Sequence, residues 1–317
     1  MPTAIQQIIC PSAEELLLKL GRTNSLWGET QQFWAFRGHS DDSYKLIPNA
    51  LRDSPKATLG YTFAPKEGIQ PTNQDQIDAE FQRLHEFHWS IDAQGLHVPG
   101  DSNLLRTPKG WLDLKNKIEN HGWPVDELLP LLALAQHYEV PTRLLDWSDK
   151  PLVAAYFAAK KAAIEVSKEA TENRSSFMSV WALNLDWIMR KAFPSDSKGK
   201  MAVYVVSAPR ATNPNLHAQG GIFTTGILTK DELHNGVTIE PVDAIVEKRW
   251  NSLRCNDPVM GHFTLPCSEA RKLLRLLNRE GINAATIYPG YKGVAEALAE
   301  RKLWDIRERT TYWINPK

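Results

Sequence analysis

The residues of this chain best suited to chemistry are charged or hydrogen-bonding side chains set in stretches that otherwise favour burial. Phe36-Arg37-Gly38 closes an aromatic run, and Gln136-His137-Tyr138-Glu139 leads through Val140-Pro141 into Thr142-Arg143-Leu144-Leu145-Asp146-Trp147. An unpaired charge in apolar surroundings is expensive, so such residues are either paired or kept for a site. Arg37, beside a glycine at a strand end, presents a rigid fork of donors where backbone can approach closely, which suits a phosphate. Pairing with Asp146 or Asp41 is its structural alternative. His137 and Tyr138 at a helix end can pack on a base or similar ring, or simply pack with a satisfied hydrogen bond. Arg143 and Asp146 either pair to fix a turn, or Asp146 is left as a base or an acceptor for a hydroxyl.

These residues need elements to hold them. Phe33 to Arg37 reads as an aromatic-rich strand with Arg37 at its carboxyl end. Ser12 before Leu16, Leu17 and Leu18 opens a short helix that Gly21 should end. Asp53 to Gln74 and Gln94 to Pro108 read as loops, and Ile77, Phe81, Leu84 and Phe87 between them mark an amphipathic helix. Pro124 fits the first turn of a buried helix running to Tyr138, stopped by Pro141. Ser148 can cap a further helix whose small alanines allow close approach to a sheet. Beyond a polar Ser167 to Ser176 linker, strands are expected at Phe177 to Leu185, Met201 to Ser207, Gly221 to Thr225 and Val237 to Val246. Helices follow from Ser268 to Gly281 and from Val294 to Leu303. The sum indicates an α+β fold with a mixed, mostly antiparallel sheet. A helical extension over 1–30, one domain over 31–305 and a tail over 306–317 are the expected divisions.

Lys and Arg total 37, as do Asp and Glu, so no global field draws the chain to nucleic acid or an anionic membrane. No apolar run approaches the roughly 18 residues of a spanning helix. Met1 to Cys10 lacks a secretory pattern, so a cytoplasmic location is expected. The three cysteines, Cys10, Cys255 and Cys267, are too few and too widely spaced for a disulfide framework. Cys255 with His262 and Cys267, or His85 with His88, lack the spacing of a complete metal site, and none is expected.

Together the motifs carry a resemblance. Phe36-Arg37-Gly38, Leu46-Ile47-Pro48, Leu51-Arg52, Gln136-His137-Tyr138, Pro141 to Trp147, Pro151 to Ala158 and Ala218-Gln219-Gly220-Gly221 resemble the FRG domain family, with His39 where Gln is common and Glu139 where Gly is common. In motif order FRG domains are similar to ADP-ribosyltransferases, which implies an ADP-ribosyltransferase-like sheet and NAD as substrate. The resemblance implies that Arg37 and Gly38 hold the dinucleotide and that Thr142 to Ser148, with Arg143 and Trp147, line the nicotinamide-ribose pocket. It also implies a role as toxin or defence effector, with the acceptor macromolecule left open.

On that reading His137 and Tyr138 orient the ring, and Asp146 or Glu240 stabilises the charge that develops on the ribose. Gln219 can bind the ribose but cannot take a proton. Glu240 is the nearest late-strand carboxylate, and a solvated strand-end role is its alternative. Two other classes stay open: a non-catalytic nucleotide-binding or interaction module, and a metal-dependent nuclease built on Asp146, Asp149 and Glu139.

Overall fold

The structure, a computed structural model, describes residues 2–21, 24, 27, 33–52, 70–166, 176–191, 203–207, 210 and 213–304. The expected loop over 53–69, most of the 167–176 linker, the strand start at 201–202 and the 306–317 tail lie outside the described residues.

In chain order the elements are β1 (Ile5–Ile9), α1 (Ala13–Leu20), β2 (Trp34–His39), α2 (Asn73–Ala93), α3 (Pro108–His121), α4 (Leu129–His137), β3 (Leu145–Ser148) and α5 (Pro151–Val166). They continue with β4 (Phe177–Asn184), α6 (Leu185–Lys191), β5 (Val203–Val206), α7 (Pro214–Gln219), β6 (Gly221–Gly226), α8 (Val242–Ser252), β7 (Met260–Pro266), α9 (Ala270–Arg279), α10 (Ala284–Ile287) and α11 (Tyr291–Trp304). The seven strands form one sheet in the order β1-β7-β4-β2-β3-β6-β5. Only β1 and β7 run parallel; every other pair is antiparallel. The fold is α+β with the mixed, mostly antiparallel sheet that the sequence indicates.

Alternation along the strands divides the core. Phe36, Val180, Ala182, Phe263 and Leu265 face α1, α5 and α9. Their neighbours Ala35, Leu145, Trp147, Trp181 and Leu183 face α6 and α8 on the other side. A third cluster joins α2, α3 and α4 through Ile77, Leu84, Trp111, Leu114 and Leu131, and reaches Phe223 of β6. Helix α5 lies close on β2, because a Cβ at Gly38 would stand 2.0 Å from the Ala154 carbonyl oxygen and 2.8 Å from the Ala158 nitrogen. The missing side chain of Gly38 therefore serves helix packing first.

One seam of the sheet is nearly unstitched. β2 matches β4 from Trp34↔Asn184 to His39↔Ser179, yet it meets β3 only at Phe36↔Ser148. Beyond that pair the strands part, with Arg37, Gly38 and His39 on one side and Asp146 on the other.

Several expectations are corrected. β2 runs two residues past Arg37, and the expected Thr142 to Asp146 turn delivers its end into β3. Val237 to Val246 is not a strand: Val242, Val246 and Trp250 recur at helical spacing and are buried on α8. Helix α3, capped by Thr107 with Pro108 in its first turn, was hidden by the Gly and Pro content before it. Pro124 precedes α4 rather than opening it, and Pro130 occupies the first turn. Residues 5–20 supply an edge strand and a helix to the common core rather than a helical extension.

Candidate functional site

The parting between β2 and β3 opens into a cleft of about 1980 Å³. β2 and β3 form its floor, and the carboxyl end of α4, one face of α5, the α7–β6 junction and the α10–α11 turn form its walls. Arg37, Gly38, His137, Tyr138, Asp146, Trp147 and Gln219 all line it. Thr142, Arg143 and Glu240 do not.

Arg37 crosses the parting. Its Nη1 donates to the Asp146 carbonyl oxygen at 2.7 Å and lies 3.6 Å from Asp146 Oδ2, and its Nε donates to His39 Nε2 at 3.1 Å. The carbonyl of a strand end without a strand neighbour on that side thus finds a charged donor. Burial pulls the Arg37 pKa down, and Asp146 opposes the shift. His39 accepts from Arg37 and is therefore neutral: burial, with Arg37 and Arg52 nearby, lowers its pKa to about 2.

Asp146 is held from a second side. Gln136 Nε2 donates to Asp146 Oδ2 at 2.9 Å, Thr142 Oγ1 donates to Gln136 Oε1 at 2.7 Å, and the Leu144 amide donates to Thr142 Oγ1 at 3.0 Å. The chain of donors fixes the Gln136 amide with its NH₂ toward the carboxylate. Thr142 thus acts through Gln136 rather than by touching a ligand. The Asp146 side chain nevertheless stays 51% exposed, open to the cleft.

Arg143 is not the partner of Asp146. Its Nε binds both oxygens of Glu80 on α2, at 2.9 and 3.1 Å, with both side chains almost fully buried. Burial pushes Glu80 upward in pKa and Arg143 pulls it back. The pair ties α2 to the strand that carries Asp146, so Arg143 is a structural residue. Trp147 is buried and donates from Nε1 to Thr224 Oγ1 at 2.8 Å.

His137 ends α4 and packs edge-on against Tyr138 with ring centroids 5.1 Å apart. Burial lowers its pKa, against a smaller opposing effect of Asp146. Tyr138 is 62% exposed at the cleft mouth. Glu139 follows with φ of 61°, a left-handed conformation that glycine adopts without strain, which accounts for glycine being common at this position.

The Ala218 to Gly221 motif is stapled to the β3–α5 junction. Ser148 Oγ donates to the Gln219 carbonyl at 2.6 Å and accepts from the Lys150 amide, and Lys150 Nζ donates to the Ala218 carbonyl at 2.7 Å. Gly220, with φ of 62°, has no room for a Cβ beside Asp149. Asp149 is committed to Arg210 at 2.8 Å. The Gln219 side chain faces the cleft and reaches the Ile287 carbonyl at 3.5 Å.

Glu240 pairs with Lys248 away from the cleft, which corrects its expected place in the site. The late carboxylate that does line the cleft is Glu296 of α11, paired with Lys160. Lys160 also meets Glu300 at 2.8 Å and lies 5.5 Å from the Tyr156 and Tyr288 ring centroids. Lys161 stands 5.2 Å from the Tyr44 ring centroid. The Lys160-Lys161 pair is thus part of the cleft wall. Sequence reasoning also missed His39 as an acceptor for Arg37 and Arg52 as a cleft residue; both adjoin quoted motif residues, the one signal that pointed to them.

Cations along the cleft outnumber carboxylates: Arg37, Lys45, Arg52, Lys160, Lys161 and Lys292 stand against Glu139, Asp146 and Glu296. A chain with no net charge has concentrated positive charge at one opening. Aromatic residues share the lining, among them Tyr44, Tyr138, Phe157 and Tyr288. The arrangement suits an anionic ligand that also carries flat rings. Among the described residues no cluster of three or more His, Cys, Asp or Glu side chains is placed to hold a metal ion, and His262, one of the residues considered for such a site, instead binds Gln7 and Asp42. Among the described residues no helix is long and apolar enough to cross a membrane.

Residues 32–166 match the family model of the FRG domain, the family that the motifs resemble. No curated protein and no solved structure matches the chain.

Proposed function

We propose that the cleft binds NAD and that the protein cleaves the nicotinamide–ribose bond, as an ADP-ribosyltransferase-like enzyme or a hydrolase. The observation that carries this reading is the Asp146 carboxylate, held by Arg37 and Gln136 yet half exposed, on the wall of a cationic, aromatic-lined cleft. A fixed carboxylate of this kind stabilises positive charge on a ribose as the glycosidic bond lengthens, without reorganising at the moment of reaction. Nicotinamide departs with the bonding electron pair as a neutral molecule. Water or an acceptor nucleophile then bonds to the ribose carbon and releases its proton. His137 and Tyr138 line the same cleft, where a ring can pack on them.

The reading is tested by incubating the purified full chain with NAD labelled in the nicotinamide ring. Labelled nicotinamide is expected to be released. A folded preparation that binds NAD but releases none favours the second reading, a nucleotide-binding module, which the placement of Glu240 outside the cleft supports. The nuclease reading has less support, because Asp149 is already committed to Arg210.

A further inference from the structure

Arg52 belongs to the cleft through the packing of the segment before it. The Ala50 amide donates to the Thr142 carbonyl at 3.1 Å, and Gln76 Nε2 donates to the Ala50 carbonyl at 3.2 Å, which docks residues 49–51 between α2 and the segment that leads into β3. Arg52 Nε then donates to the Ile47 carbonyl at 2.8 Å. That bond turns the guanidinium and leaves both terminal nitrogens without a hydrogen bond among the described residues. Arg37 spends Nε on His39 and Nη1 on Asp146, and its Nη2 is likewise without one.

Charge accounting gives the ligand chemistry. Asp146 is the one carboxylate that acts on either guanidinium among the described residues, and it acts on both. The neighbouring acid, Asp41, is turned away to the Ser43 amide and hydroxyl. His39 is neutral. Two arginines therefore share one carboxylate, Arg37 mostly buried and Arg52 exposed at the cleft, leaving an excess of positive charge there. Such a surplus attracts an anion, and planar guanidinium forks match phosphate oxygens. A simple structural ion pair has no use for the second arginine.

We propose that Arg52 and Arg37 form a two-pronged subsite for the diphosphate of the ligand, with Arg52 as a binding residue in its own right. The terminal nitrogens of Arg52 and Nη2 of Arg37 donate to the phosphate oxygens, while Asp146 keeps Arg37 turned across the parting. The subsite rests on the proposed nucleotide-binding reading and specifies it: recognition is through the diphosphate, and a nucleoside alone binds poorly. Free inorganic pyrophosphate shares that chemistry, so the experiment separates the two sources.

Titration calorimetry on the full chain with ADP, inorganic pyrophosphate and adenosine, each in low and moderate salt, tests the subsite. ADP is expected to bind tightest, pyrophosphate measurably and adenosine at least about tenfold more weakly than ADP, with the ADP affinity falling as salt rises. Arg52→Ala is expected to weaken ADP by about tenfold or more with an unchanged circular dichroism spectrum. Arg52→Lys recovers part of the loss, because a point charge replaces a fork. Should Arg52→Ala misfold, Arg52→Lys and Arg52→Gln, which keep the stem length, carry the comparison. ADP affinity indifferent to every folded Arg52 variant, or adenosine binding as tightly as ADP, overturns the subsite. Pyrophosphate binding as tightly as ADP overturns its link to a nucleotide. Nicotinamide release that is absent while ADP binding still depends on Arg52 removes the enzymatic reading and leaves the subsite standing.

Discussion

Arg37 and Asp146 meet across the one seam of the sheet that has almost no ladder, with a 2.7 Å bond from guanidinium to backbone carbonyl and a 3.6 Å approach to the carboxylate. The contact does two jobs. It satisfies a strand-end carbonyl, and it aims a carboxylate acceptor and a guanidinium donor into the same solvent-reachable cleft.

Replacing the acid with its amide separates these jobs. Asp146→Asn keeps the backbone carbonyl that Arg37 binds and can still accept from Gln136 through Oδ1, so the thermal midpoint is expected to stay within a few degrees of wild type. Nicotinamide release is expected to fall by about two orders of magnitude or more, as when a preorganised electrostatic group is removed. Binding of ADP should hold or tighten, because two guanidiniums lose their shared carboxylate. Undiminished release by this variant would remove Asp146 from the reaction.

Thr142 acts at one remove. Thr142→Val leaves the Leu144 amide and Gln136 Oε1 without their bridging hydroxyl in a buried setting, an expected cost of about 1–3 kcal/mol by urea unfolding. Freed from Thr142, the Gln136 amide can rotate away from Asp146. The expected kinetic signature is a lower kcat with a nearly unchanged KM for NAD, and Thr142→Ser should recover most of it. An equal loss in both kinetic constants would mean that Thr142 contributes to ligand binding as such.

The Arg143–Glu80 pair concerns stability. Glu80→Gln leaves a guanidinium buried without its counter-charge, and the expected destabilisation is about 3–5 kcal/mol. Molecules that remain folded should bind ADP as wild type does, since neither side chain reaches the cleft. A selective loss of ADP affinity in a fully stable variant would contradict the structural assignment of Arg143.

His39 carries the acid sensitivity. Its folded pKa lies at about 2, far below the unfolded value near 6.5, so below pH 6.5 the unfolded chain takes a proton that the folded chain refuses. Stability from this group is complete above that pH and drains away as pH falls, at up to about 1.4 kcal/mol per pH unit. His137 and His88 shift in the same direction and add to the slope. His39→Gln, which keeps an acceptor for Arg37 Nε, should flatten the slope between pH 6.5 and 4.5 by about one proton. Parallel slopes for variant and wild type in urea unfolding at those pH values would show that His39 is not the source.

What the sequence made legible follows the reach of local pattern. The two motifs announced themselves because charges stood in apolar runs, and the structure does bring Arg37, His137 and Asp146 to one cleft. The Ala-rich run after Trp147 announced a helix pressed against the sheet, as Gly38 and Ala154 bear out. The partner of Arg143 was out of reach, because Glu80 sits on an amphipathic helix whose docking is decided by packing far along the chain. Glu240 misled for a related reason: a carboxylate after alternating Val and Ile resembles a strand end, whereas Pro241 starts a helix there. Glu296 and Lys160 give no local signal at all, since their pairing arises only where α11 meets α5.

The lone Phe36–Ser148 match divides the ladder of the sheet into two leaves, four strands on one side and three on the other, with one apolar cluster, from Ala35 and Trp181 to Leu145 and Val203, running across both. Whatever occupies the gap acts as a rivet between those leaves. Its affinity therefore adds to the stability of the whole molecule, so that a saturating occupant should raise the thermal midpoint.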